Sequence, residues 1–215
     1  MSWIGHSMRI GVLGGTFDPI HNGHLEIARQ AIREVALDFV LFIPTGRPWM
    51  KAGLNITASK HRLAMVRLAI QRKPKFREST IEVDRNGLTY TIDTLISLKE
   101  QYGEQSSLFF ILGMDSLETF PRWKQPDEIL NLCTLVAALR PDQESLERAR
   151  IVEIGVNARE KIITLNNKKV KVSGENIREM LLRGKSIKGM VPSEVEEYIE
   201  ENHIYGEAHL GYRKE

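Results

Sequence analysis

Short continuous apolar runs recur along this chain, separated by longer stretches whose apolar residues return every three or four positions. Leu108–Leu112 and Thr134–Leu139 are apolar without alternation, the pattern of strands covered on both faces. Arg9–Leu13 is a β-type run ending in Gly14-Gly15, and Phe39–Ile43 is another, stopped by Pro44. Between them Leu25, Ala28, Ile32 and Val35 fall at helical spacing, as do Leu63, Val66 and Ile70, and then Ile92, Leu95, Leu98 and Tyr102. Phe76–Val83 reads as a further strand, closed by a turn at Asp84-Arg85-Asn86-Gly87. Buried strands alternating with helices leave one economical arrangement, an α/β fold with a doubly wound, mostly parallel sheet. Ligands of such a sheet sit at the carboxyl ends of its strands.

The later chain is less periodic. Pro141–Lys161 is charged and reads as a helix-containing surface excursion. Asn176–Arg183 reads as a helix stopped by Gly184, and a last helix opens with Ser193 and Glu196 in capping-box spacing. Its apolar face of Val195, Tyr198 and Ile199 predicts a small helical portion packed on the same domain. A single domain over residues 8–205 is expected, with an extension at 1–7, where a second Met stands at position 8, and a tail at 206–215.

Composition excludes several classes. The 30 basic and 28 acidic residues nearly cancel, leaving a net charge of +2, so no nucleic-acid partner is expected. No apolar run approaches membrane-spanning or signal-peptide length, so neither membrane insertion nor secretion is expected. Cys133 is the one cysteine, which excludes an internal disulfide and fits a packed thiol in a reducing cytoplasm. Association into a homo-oligomer stays open.

Chemistry concentrates in GGTFDPIHNGH, Gly14 to His24, where the first strand runs into the first helix. Gly14 and Gly15 let backbone amides approach a polyphosphate, and the helix start offers unpaired N–H groups to the same anion. His21 and His24 lie three apart, so both imidazoles can face the space above the strand, and Gly23 keeps a side chain out of it. Taken alone, the glycines also fit a simple tight turn, and the histidines a metal pair or surface residues. Zinc fits less well, because no cysteine or carboxylate stands at ligand spacing around the pair. The dinucleotide fingerprint G-x-G-x-x-G is incomplete.

The whole string resembles the signature of the nucleotidyltransferases that share an H-x-G-H motif with class I aminoacyl-tRNA synthetases. In particular it is similar to the bacterial nicotinate-nucleotide adenylyltransferase family, and the likeness continues along most of the chain. The resemblance implies a Rossmann-like nucleotidyltransferase fold and the joining of ATP to nicotinate mononucleotide, with Mg²⁺ accompanying the triphosphate. It implies ATP contacts at Gly14, Gly15, Thr16, Phe17, His21 and His24. Lys51, in the loop P-T-G-R-P-W-M-K, and Arg178 take catalytic roles with the histidines. Gly113 and Asp115, in L-G-M-D-S-L after a buried strand, are the expected adenosine side. Tyr90 and Thr91, in G-L-T-Y-T-I-D-T, and Trp123, in F-P-R-W, are expected near the acceptor, where the indole can stack on a pyridinium ring. In V-S-G-E-N-I-R, Ser173 and Arg178 are expected on the distal phosphates, and no dedicated protein metal site is implied. Gly174-Glu175 departs from the family's I-S-S-T-x-I-R pattern, and a glutamate beside a triphosphate is repulsive. That departure keeps a non-catalytic nucleotide sensor as an alternative. A sister adenylyltransferase for nicotinamide mononucleotide or phosphopantetheine is the other.

Overall fold

Residues 7–47, 56–138, 161–165 and 172–206 are described by the structure, a computed structural model. Among these residues six strands form the centre: β1 (Arg9–Gly15), β2 (Phe39–Pro44), β3 (Phe76–Glu78), β4 (Ser107–Gly113), β5 (Cys133–Ala138) and β6 (Ile162–Leu165). All adjacent pairs are parallel, in the order β3-β2-β1-β4-β5-β6. The chain builds outward from β1 through β2 to β3, then crosses to the other side for β4, β5 and β6. Strand order therefore reverses between β1 and β4, the place where doubly wound sheets leave a crevice.

Seven α-helices among the described residues accompany the strands: α1 (Asn22–Glu34), α2 (Ser59–Ile70), α3 (Thr91–Tyr102), α4 (Met114–Thr119), α5 (Pro126–Leu132), α6 (Gly174–Leu182) and α7 (Ser193–Glu201). Because successive side chains of a strand face opposite ways, two cores form. Leu13, Val40, Phe42, Phe109, Ile111 and Val136 meet α1, α2, α6 and α7 on one side. Ile10, Val12, Leu41, Phe110, Leu112 and Leu135 meet α3, α4 and α5 on the other. Every residue of β2 is buried, as its unbroken apolar run predicts.

Three expectations need correction. The strand predicted over Phe76–Val83 ends at Glu78, because β3 is an edge strand whose Arg77 and Glu78 are exposed, and beyond it the Glu82 carboxylate turns inward to accept from Thr94 Oγ1 at 2.8 Å. The Ser193 capping box does not form: Pro192 is the cap residue and the Ser193 hydroxyl donates to Glu194 Oε2. The face of α2 that packs inward carries Arg62, Met65, Val66, Ala69 and Ile70, with Leu63 only half-buried. β6 adds a strand that the sequence reading did not pick out. The excursion predicted over Pro141–Lys161 lies outside the described residues except for Lys161. No described helix is long and apolar enough to cross a membrane.

β1 lies tightly against its neighbours at Gly11, where an added Cβ would come within 2.8 Å of side-chain carbons of both Leu37 and Val40. Gly11→Ala is expected to cost about 1–3 kcal/mol through overpacking, read as a lower urea midpoint at unchanged slope. An unaltered midpoint would mean that this layer yields more easily than its geometry implies.

Candidate active site

β1 stays paired with β2 through Gly15↔Pro44, whereas its pairing with β4 ends at Leu13↔Ile111. The two central strands therefore part at Gly14, and the crevice opens between the Gly14-Gly15 turn and the end of β4. At Gly113 an added Cβ would meet nothing within 4 Å, so bare backbone faces open space there. Gly15 has a different reason to be glycine: a Cβ would stand 3.1 Å from the Phe17 ring, which folds back beneath the turn. Phe17 holds a left-handed φ of 49° and is buried. Its ring meets that of His24 edge-on at 5.0 Å. The Phe17 side chain thus forms the seat of His24, and only its backbone is left to meet a ligand.

His21 is the cap residue of α1, and its backbone N–H donates to His24 Nδ1 at 3.2 Å. An imidazole accepting at Nδ1 carries its proton, when neutral, on Nε2. That nitrogen is then a donor. The two rings stack at 3.7 Å with planes 22° apart. Burial holds His21 down at about 4, and burial together with the adjacent His21 holds His24 well below its ordinary value. Both imidazoles are accordingly neutral at neutral pH. Gly23 makes the arrangement possible, since a Cβ there would lie 2.9 Å from His21 Nδ1, a buried ring nitrogen. The space expected above Gly23 is occupied by the His21 ring itself.

α6 brings its N-terminus to the same loop. Ser173 caps it, accepting from the Asn176 N–H at 3.1 Å. Gly174 lies close against Asp18, where a Cβ would be 3.1 Å from the carbonyl oxygen. Arg178 Nη1 donates to that same carbonyl at 2.6 Å. From the other side, the Asn22 backbone N–H and side-chain amide donate to the carbonyls of Met190 and Gly189 at 2.9 and 2.8 Å. Glu175 is exposed in the first turn of α6.

Opposite these, Tyr90 is the cap residue of α3 and Thr91 its first residue, and among the described residues the Tyr90 side chain makes no capping hydrogen bond to the helix. Trp123 is half-buried, edge-on to Phe110 at 5.8 Å and tilted against Phe120 at 5.5 Å. Lys124 ties the two elements together, its Nζ 4.6 Å over the Tyr90 ring and 3.2 Å from Asp93 Oδ1. Asp115 is exposed in the first turn of α4, just beyond Gly113. Lys51 lies outside the described residues.

Sequence reasoning missed the residues that hold these loops. Arg62, buried within α2, donates from Nε to the Thr57 carbonyl at 2.8 Å, from Nη1 to Thr16 at 2.8 Å and from Nη2 to Gly46 at 3.3 Å. Asp18 receives the Thr57 N–H on Oδ2 at 3.2 Å and the Tyr205 hydroxyl on Oδ1 at 2.5 Å. The available signal for Arg62 was its place three and four residues before Met65 and Val66, a cation on an apolar stripe. For Asp18 it was a carboxylate inside an anion-binding motif.

The cytidylyltransferase-like family profile matches residues 12–180, which places the chain among the nucleotidyltransferases. A protein of Dehalococcoides mccartyi strain CBDB1 named "Probable nicotinate-nucleotide adenylyltransferase" is 43% identical over 199 residues, covering 93% of this chain and 98% of its own. One of the same name from Thermoanaerobacter sp. strain X514 is 41% identical, covering 92% and 94%. The chain belongs to the nicotinate-nucleotide adenylyltransferase family. The solved Plasmodium falciparum nicotinic acid mononucleotide adenylyltransferase complexed with NaAD shares the fold at TM-score 0.75 and 19% identity, covering 92% of this chain and 97% of that one.

A histidine whose folded-state pKa lies below its unfolded value of 6.5 favours the fold above that value, and this advantage disappears as pH falls towards 4. His21 alone should lower stability by about 2 kcal/mol between pH 7 and pH 5. Urea denaturation across that window is expected to be steeper in pH for the wild type than for His21→Gln. Parallel profiles would show that His21 is not held neutral by burial.

Proposed function

We propose that this enzyme transfers the adenylyl group of ATP to nicotinate mononucleotide, giving nicotinate adenine dinucleotide and pyrophosphate, in the cytoplasm. An anionic oxygen of the acceptor's 5′-phosphate attacks the α-phosphorus of ATP. The new P–O bond forms as the bond to the bridging oxygen breaks, and its electron pair leaves with pyrophosphate. The nucleophile already carries its charge, so no general base is needed. The enzyme's task is to align two anions and stabilise the charge that develops in transfer.

The observation that carries this reading is the neutral histidine pair, stacked beneath the glycine turn, with His24 tied through Nδ1 so that Nε2 is left as donor. On this reading His21 and His24 donate to the phosphates. Lys51 and Arg178 neutralise the departing pyrophosphate, and the Ser173-capped start of α6 faces the distal phosphates. Gly14, Gly15, Thr16 and Phe17 contribute backbone, while Gly113 and Asp115 hold the adenosine. Among the described residues no group of three or more His, Cys, Asp or Glu is set to hold a metal ion. Mg²⁺ fits as a companion of the triphosphate oxygens, supplying charge neutralisation there.

The acid rather than the amide is favoured on the acceptor side. The start of α3 directs its positive dipole end towards a carboxylate placed beside Tyr90 and Thr91. A neutral carboxamide gains less there. Tyr90 and Thr91 bring that terminus to the acceptor, and the exposed part of Trp123 supplies a surface for the pyridinium ring.

Pyrophosphate release from Mg·ATP, with nicotinate mononucleotide, nicotinamide mononucleotide and phosphopantetheine offered separately, tests the proposal. A strong preference for the first is expected, and His24→Ala should lower kcat on the order of 100-fold. Preference for another acceptor would overturn the α3 argument. Full activity in a variant with both histidines replaced by Ala would sink the mechanism.

A further inference from the structure

We infer that Tyr205 is a positioning residue for adenylyl transfer, acting through Asp18 to keep that carboxylate turned away from the bound triphosphate. The inference rests on the reaction proposed above. Asp18 lies inside the loop that runs from the glycine turn to the histidine pair, and a carboxylate there opposes any polyphosphate it can face. Its two oxygens are both engaged: Oδ1 by the Tyr205 hydroxyl at 2.5 Å and Oδ2 by the Thr57 N–H at 3.2 Å. Its carbonyl meanwhile takes Arg178 Nη1 at 2.6 Å. One residue thus joins the phosphate loop to three distant parts of the chain: the segment before α2, α6, and Tyr205 in the segment that follows α7.

Tyr205 is shaped for this contact. Its side chain is 1% exposed, packed in the same core as α1, α2, α6 and α7. Its φ of 67° is a left-handed backbone conformation that a tyrosine rarely adopts. Burial, with the Asp18 carboxylate beside it, raises the phenol's pKa, so the hydroxyl stays a donor. A hydrogen bond from a buried hydroxyl to a carboxylate is among the stronger kinds and fixes direction as well as distance. The ring contributes packing, and the hydroxyl directs Asp18. Tyr205→Phe separates the two, since it keeps the ring and removes only the hydroxyl.

In Tyr205→Phe the freed Oδ1 is able to turn towards the triphosphate. The expected result is a rise of about 5- to 10-fold in KM for ATP, with KM for nicotinate mononucleotide little changed and the melting temperature lowered by only a few degrees, about the amount one lost hydrogen bond accounts for. Loss of folded enzyme would lower apparent kcat and leave both KM values alone. Adding Asp18→Asn to Tyr205→Phe removes the charge and should bring KM for ATP back towards the wild-type value. A wild-type KM for ATP in Tyr205→Phe overturns the inference, as does a double variant no better than the single. If the wild-type enzyme releases no pyrophosphate with ATP and nicotinate mononucleotide, the proposed reaction fails instead. The same variants then test the Tyr205–Asp18 contact by calorimetric titration with ATP, where equal Kd values for wild type and Tyr205→Phe overturn it.

Discussion

A single buried guanidinium holds the mouth of the crevice together. Arg62 enters from α2 and reaches the carbonyls of Thr16, Gly46 and Thr57, one in the segment after β1, one in the segment after β2 and one just before α2 itself. Removing a cation from water is costly, and burial lowers its pKa, while Asp18, Tyr205 and Glu82 act in the opposite direction. Taking the side chain away would leave three carbonyls without their donor. The loops around it are closely fitted as well: a Cβ on Gly46 would overlap the Glu82 carbonyl. The positions of the glycine turn and of the segment leading towards Lys51 therefore follow from one side chain that binds no substrate on this reading.

The sheet was legible because burial on both faces leaves a plain mark, runs of apolar residues with no alternation, as in β2 and β4. The first motif was legible because phosphate chemistry needs small residues and donors at fixed places along the chain. What was obscured shares a physical cause. β3 is an edge strand of three residues and leaves the sheet once its side chains are exposed, so the apolar Ile81 and Val83, which prolong the strand pattern in the sequence, belong to a turn. Arg62 was hidden because an apolar pattern treats every cation as a surface residue, and only the three carbonyls, far apart in sequence, make its burial intelligible. Tyr205 was hidden for the same reason, since its partner Asp18 stands 187 residues away.

The histidine pair shows how much local order this motif contains. His21 caps α1 and donates its N–H to His24, which rests on Phe17, whose ring in turn needs Gly15 to be bare. Each residue is explained by the next along the same short loop. Gly23 completes the set by leaving room for the His21 ring. A motif of this kind is a small folded object, and its residue types answer to one another before they answer to a ligand.

The parting of β1 and β4 at Gly14 has a consequence for how the enzyme comes into being. The two walls of the crevice belong to strands whose paired residues lie roughly one hundred positions apart, and closing so long a loop is slow compared with forming a helix or a neighbouring pair. The β1–α1–β2 unit can assemble early with its glycine turn and histidines in place, yet it has no opposite wall. During synthesis the opposite wall exists only after β4 has emerged and docked. Competence to bind both substrates is thus a late event: it cannot precede the longest-range pairing of the central sheet, and it waits further for α6 to bring Ser173 and Arg178 to the loop that β1 began.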